Sequence, residues 1–197
     1  MPVIRQFIIK VISIILLSSA FYVHAQEEQQ EEQNEVVFST NKGEIVILLN
    51  PEAAPNSVAN FKQYVADGFY DGTIFHRTIP KFMIQGGGFD ANLTRKSVNA
   101  PIQNEASNGL KNTVGTISMA RTSDPHSATS QFFINVNDNR SLDYRDSSFR
   151  GWGYAVFGQV TKGLDIVQAI SRQKTKVKGG HQNVPVDAIV IEKAILR

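Results

Sequence analysis

FHRTIPKFMIQGG, residues 75–87, sets Arg77 and Gln85 among Phe75, Phe82 and Met83. The stretch is too polar for a core strand and too apolar for an exposed one. Read as extended chain, Phe75, Arg77 and Ile79 share one face, and Met83 and Gln85 share a face further on. Pro80 cannot donate to a ladder, so it divides the stretch into two strand segments that meet at a bend. Strict alternation sets Phe82 opposite Met83, so Phe82 joins the patch around Met83 only if the bend turns it. Arg77 is expected on a sheet surface beside that apolar patch. Residue chemistry alone leaves two readings open. Phe75, Phe82 and Met83 are plain core beside a solvated arginine, or the arginine and glutamine are polar tools fixed at an apolar clamp.

Outward from this stretch the chain reads as many short strands and few helices. VVFST and EIVILL flank Asn41-Lys42-Gly43, the pattern of a hairpin with glycine at its turn. Pro55 suits the first turn of a helix. Val58, Phe61 and Val65 recur at helical spacing, and Gly68 is placed to end it. A second helix is expected over 164–171, where Leu164, Val167 and Ile170 line one side. The remaining β-rich runs are GTIFHRTI, FMIQG, VGTISMA, SQFFINV, YAVFGQV and the closing AIVIEKAIL. Short strands with only two helices favour an antiparallel sheet or closed barrel over alternating βαβ units.

The N-terminal end is of another kind. Arg5 and Lys10 precede an apolar run from Val11 to Val23, and Val23-His24-Ala25 offers tolerated residues before a cut. That is the layout of a secretory signal over residues 1–25, with cleavage after Ala25 and the periplasm as destination. A spanning helix needs roughly 20 apolar residues. This run is shorter, so no stable membrane association is expected once it is cut. QEEQQEEQNE, residues 26–35, contains no apolar side chain and reads as a solvated tether. The folded domain is then expected over residues 36–197.

Composition narrows the chemistry. Cysteine is absent, which excludes disulfides, thiolate catalysis and cysteine-bound metal. Removing Arg5 and Lys10 from the 20 basic residues leaves 18 against 18 acidic, so nucleic acid is not expected as a partner. His76, His126 and His181 lie far apart in sequence without metal-ligand spacing, and no metal is expected. Gly86-Gly87-Gly88 lacks the lysine and helix of a phosphate loop, and no GxSxG elbow occurs.

FHRTIPKFMIQGG resembles the signature of the cyclophilin family of peptidyl-prolyl isomerases. GTISMAR at 115–121, ATSQFFIN at 128–135 and YAVFGQV at 154–160 follow in the family's order, and NFKQYVADGFYDGTIFHR extends the match from residue 60. The resemblance covers essentially all of 36–197 and is closest in kind to bacterial secreted members. It implies a mainly β fold, a closed eight-stranded antiparallel barrel capped by two α-helices. It implies Arg77 as the catalytic residue. His76, Phe82, Met83, Gln85, Ala120, Arg121, Gln131, Phe133, Leu142 and Tyr154 then hold the substrate. Arg121 and Tyr154 stand where many members have asparagine and histidine. Ser141 stands where an aromatic is common, which thins the rim of the groove. The implied substrate is a proline-containing polypeptide of the secreted or envelope class, with no cofactor and a monomeric enzyme. A non-catalytic proline-peptide binding module and a general envelope chaperone are the alternatives; the first is expected to show damage at Arg77 or Phe133, and neither is damaged.

Overall fold

The computed structural model describes residues 34–197. The signal assigned to 1–25 and all but the end of the tether assigned to 26–35 lie outside the described residues. Glu35, assigned to the tether, stands in the first described strand. Glu35 opens the first strand because its N–H and C=O both pair with Arg197, at 3.2 and 2.7 Å.

The expected hairpin forms from β1 (Glu35–Thr40) and β2 (Gly43–Leu49), paired in register from Glu35↔Leu48 to Thr40↔Gly43. Helix α1 (Pro55–Ala66) follows with proline in its first turn, and buries Val58, Phe61, Tyr64 and Val65. The opening stretch of sequence folds as β3 (Arg77–Ile79) and β4 (Met83–Gly86), with Pro80, Lys81 and Phe82 as the bend between them. The next strands are β5 (Thr116–Met119), β6 (Phe132–Asn135) and β7 (Val156–Lys162). Helix α2 (Leu164–Ser171) covers the residues its periodicity predicts and buries Val167 and Ile170. The chain closes with β8 (Thr175–Lys178), β9 (His181–Pro185) and β10 (Ile191–Leu196).

Eight strands form one antiparallel sheet in the order β10-β1-β2-β7-β5-β6-β4-β3. Its concave side is filled by aromatic rings. Phe38 lies 5.4 Å from Phe132 and 6.0 Å from Phe61, and Phe61 in turn lies 5.0 Å from Phe157. Offset and edge-on packing of this kind adds about 0.5–1.5 kcal/mol per pair beyond the area buried. It ties helix α1 to strands from both halves of the sheet.

The expectation of a closed barrel is corrected. The sheet is a strongly curled half-barrel, open rather than closed, because its end strands β3 and β10 share no ladder. In place of a ladder, those edges are joined through the residues before β3. The bridge Ile74↔Val190 is flanked by hydrogen bonds from Gly72 N–H to Ile191 O at 2.8 Å, from Phe75 N–H to Ile189 O at 2.9 Å and from Ile191 N–H to Thr73 O at 2.8 Å. Asp71 accepts from Ala194 N–H at 2.9 Å and pairs with Lys193 at 2.7 Å. The physical reason lies in the short hairpin β8–β9, a separate two-stranded sheet whose β9 runs beside β3 without joining its ladder. Among the described residues no helix is long and apolar enough to cross a membrane.

Candidate active site

The β3–β4 hairpin sets Arg77 directly across from Gln85. Arg77 Nη1 donates to Gln85 Oε1 at 3.3 Å, and Gln85 Nε2 donates to Gln131 Oε1 at 3.0 Å. This relay holds the half-buried guanidinium with a neutral amide, and among the described residues no carboxylate lies within ion-pair distance of it. Its charge is therefore directed at whatever enters beside it. Gly88 makes room for the relay, since a Cβ there would meet Gln131 Cγ at 2.6 Å.

Beside Arg77 opens a groove of about 130 Å³. Phe82, Met83, Phe133 and Leu142 supply its apolar wall, and Gln85, Ala120, Arg121 and Tyr154 complete the lining. Met83 and Phe133 are buried to within a few percent, so the wall is rooted in the core. The bend does turn Phe82 into this groove. Its carbonyl accepts hydrogen bonds from Val136 N–H at 3.0 Å and from Asn139 Nδ2 at 2.8 Å, which fixes the residue against the loop after β6.

Those two bonds belong to a buried polar network beneath the groove. Asn139 also donates to Asn135 Oδ1 at 2.6 Å; Asn135 donates to Thr116 Oγ1 at 2.8 Å; and Ser118 Oγ donates to Asn112 Oδ1 at 2.8 Å. Asn112 Nδ2 reaches Leu142 O at 3.2 Å. Two of the groove's apolar residues, Phe82 and Leu142, are thus held by their main chains through asparagines that the sequence did not single out. Of this network only Asn135 stood inside a β-rich run, where a buried amide needs partners on neighbouring strands; Asn112 and Asn139 lie in loops that gave no such signal.

The opposite rim carries a second cation in a different setting. Arg121 stacks 4.7 Å over the Tyr154 ring, while its Nε donates to Gly153 O and its Nη1 to Thr122 O, both at 2.9 Å. Tyr154 is itself packed edge-on against Phe133 at 5.5 Å. Ala120 N–H is taken by Gln131 O at 2.9 Å, so this edge can offer a substrate backbone the carbonyl of Ala120 and the amide of Arg121. Ser141 is exposed, and Trp152 does not cover for it. The indole is held between His126 at 4.7 Å and Tyr144 at 5.6 Å, outside the groove.

Nine of the eleven expected site residues thus line one groove, and two do not. His76 and Gln131 line a neighbouring cavity instead, on the far side of Arg77 and Gln85. His76 is 4% exposed, and burial, with smaller contributions from His181 and Arg77, pushes its pKa down to about 4. It is a neutral ring at physiological pH. His181 comes within 6.3 Å of it, although the two are far apart in sequence. Among the described residues no group of three or more metal-ligating side chains forms.

A family model for cyclophilin type peptidyl-prolyl cis-trans isomerase/CLD matches residues 35–195. The chain belongs to this family. It is 58% identical over 159 residues to peptidyl-prolyl cis-trans isomerase cyp18 of Streptomyces antibioticus, an alignment covering 81% of this chain and 96% of that protein. Peptidyl-prolyl cis-trans isomerase B of Escherichia coli (strain K12) is 53% identical over 157 residues, covering 80% and 96% respectively. Among solved structures, a cyclophilin type isomerase of Cryptosporidium parvum in the presence of the dipeptide Ala-Pro superposes with a TM-score of 0.68 at 26% identity, covering 83% of this chain and 98% of that one. Cyclophilin AquaCyp293 of Hirschia baltica gives 0.67 at the same identity, covering 84% and 74%. With relatives this similar over almost their full length, the enzyme is a cyclophilin-type peptidyl-prolyl cis-trans isomerase.

Proposed function

We propose that the groove beside Arg77 is where this cyclophilin rotates X–Pro bonds, and that Arg77 is the catalytic residue. The observation that carries the reading is a guanidinium with no acidic partner among the described residues, held by a neutral amide at the mouth of an apolar pocket.

No bond is broken in the reaction. Amide resonance opposes rotation with a barrier of roughly 18–20 kcal/mol, and the unaided change takes roughly 10–100 s. As the amide twists, the prolyl nitrogen loses conjugation and regains a lone pair. A donor aimed at that lone pair binds the twisted amide better than the planar one, which lowers the barrier. Arginine keeps its charge and presents its donors in a fixed fork. Here the Gln85–Gln131 relay aims that fork before substrate arrives. Phe82, Met83, Phe133 and Leu142 clamp the ring while the preceding carbonyl swings. Exclusion of water from the clamp strengthens the contact to Arg77 and disfavours the more polar planar amide. No cofactor takes part in any step.

The substrate is a proline-containing polypeptide, a reading supported by the Ala-Pro dipeptide used with the Cryptosporidium parvum relative. Removing one preorganised donor from a developing charge costs ~2.7–4 kcal/mol, or about 10²–10³ in rate. Arg77→Ala is therefore expected to lower kcat/KM on a proline peptide by that factor in a protease-coupled assay, with the fold retained because Arg77 stands at a sheet surface. Retention of more than about a third of wild-type efficiency overturns its catalytic role.

The N-terminal pattern supports export, with polypeptides that fold outside the cytoplasm as clients. Mass spectrometry of the protein recovered from the cell envelope is expected to find its N-terminus at Gln26. A retained Met1 overturns the cleaved signal.

A further inference from the structure

The cavity next to the groove is the larger of the two, about 390 Å³ against 130 Å³. Arg77 and Gln85 line both and form the partition between them. Its floor is His76, Phe89 and Gln131, and its outer wall is the tip of the β8–β9 hairpin, residues 180–183. The hairpin reaches this position because Gly179 and Gly180 both take positive φ, 58° and 79°, and turn the chain tightly into β9. His181 then packs edge-on against Phe89 at 4.9 Å, and Phe89 against His76 at 4.7 Å, so the wall is fixed by ring contacts.

The lining is rich in donors and contains no carboxylate. Arg77 brings a full positive charge. Gln131 gives its amide oxygen to Gln85, which leaves its NH2 to donate into the cavity. Gln182 and Asn183 add two more side-chain amides at the rim. Beneath them the His76 imidazole is almost wholly buried and its Nδ1, without a hydrogen-bond partner among the described residues, is closed to solvent. An open cavity lined by donors and by no carboxylate points to an acceptor group that enters from outside. Since one arginine partitions the two spaces, a substrate with proline in the groove passes the mouth of the second. Extended chain advances about 3.3–3.6 Å per residue, so a neighbour of the proline has the reach.

We propose that this second cavity is a specificity pocket that receives an aspartate or glutamate side chain one or two residues from the target proline. The proposal rests on the isomerase reading and extends it to the choice of substrate. The positive charge of Arg77 at the partition attracts a carboxylate without being taken from the groove, the amide donors of Gln131, Gln182 and Asn183 hold it, and a lysine in the same place is repelled by Arg77.

The test is a set of unmodified proline peptides with Glu, Gln, Ala or Lys at each of the two positions on either side of proline. Turnover is read by NMR exchange between cis and trans forms. At one position the wild-type enzyme is expected to favour Glu over Ala by about tenfold in kcat/KM, through KM, with Gln near Ala and Lys below it. Two variants carry the charge reversal, His181→Glu and Gln182→Glu, the second at an exposed residue of the hairpin that leaves the ring contacts intact. Each is expected to invert the order of Glu and Lys. Equal turnover of all four residues at every position overturns the proposal, as does Gln matching Glu, or a preference for Glu that survives both substitutions. Turnover of none of the peptides overturns the isomerase reading itself, and the pocket with it.

Discussion

Arg77 and His76 are adjacent in the chain, yet only Arg77 reaches the groove. Alternation was enough to place the arginine on a sheet surface, but not to say which cavity the histidine beside it would line. The neighbours that decide this, Phe89 and His181, come from elsewhere in the sequence. His76 carries a measurable consequence. Its pKa in the folded protein is about 4 because burial penalises the charged ring, while an unfolded imidazole titrates near its ordinary value of about 6.5. The unfolded chain therefore takes up this proton first as pH falls. Neutral His76 costs the fold nothing above about pH 6.5, and stability is lost from there down to about pH 4, by up to ~3 kcal/mol, with no further loss from this group below. His76→Phe keeps a ring against Phe89 and removes the titration. Denaturant unfolding at pH 7.5 and pH 4.5 should show a smaller loss of stability on acidification in the variant than in wild type. Equal losses in the two proteins would show that His76 is not the group responsible.

At the scale of elements, the strands that hold the site were legible wherever aromatic and β-branched residues ran together, as in SQFFINV and YAVFGQV, whose strands bury contiguous residues. The hairpin β8–β9 was not, because all four residues of β8 are exposed and its sequence TKVK buries nothing. Only Gly179-Gly180 marked it, a turn signal set between short runs of alternating residues. The closed barrel was implied by the family resemblance; no local stretch of sequence signalled that β9 would lie beside β3 outside the main sheet. The bend between β3 and β4 was foreseen from Pro80, but its hold on Phe82 depends on Asn139 beyond the end of β6. Asn139 is 7% exposed, and its amide serves Phe82 O and Asn135 Oδ1 together. Asn139→Ala leaves both acceptors short of a donor, at a cost of about 1–3 kcal/mol. It should also loosen Phe82 and raise KM for proline peptides several-fold while Arg77 stays aimed and kcat changes less. A fall in melting temperature with KM unchanged would show that Val136 alone is enough to hold the bend.

On the scale of the whole molecule, the fold closes through its ends. Strand β1 lies between β2 and β10, pairing with both, and Glu35 exchanges both backbone hydrogen bonds with Arg197. Val36 and Phe38 are fully buried in the main core cluster, and Phe38 touches Phe61, Tyr70 and Phe132. The first described strand thus joins the last strand of the chain to the aromatic centre, a long-range arrangement that no local window of sequence contains. The change after Glu35 from a run without apolar side chains to VVFST was visible, and the first described strand starts at Glu35. These facts predict a sharp threshold on truncation. A chain that begins at Glu35 should melt at the temperature of the longer protein and isomerise a proline peptide equally fast, because every contact of β1 is kept. Removing six more residues, through Thr40, exposes the facing edges of β2 and β10 and takes Val36, Val37 and Phe38 out of the core. Each buried side chain of this size contributes about 1.5–3 kcal/mol, which together approaches the roughly 5–15 kcal/mol of total stability of a domain. That shorter chain should fail to fold, as circular dichroism and loss of activity would report. A substantial fall in melting temperature already at Glu35 would show that residues before it pack on the domain.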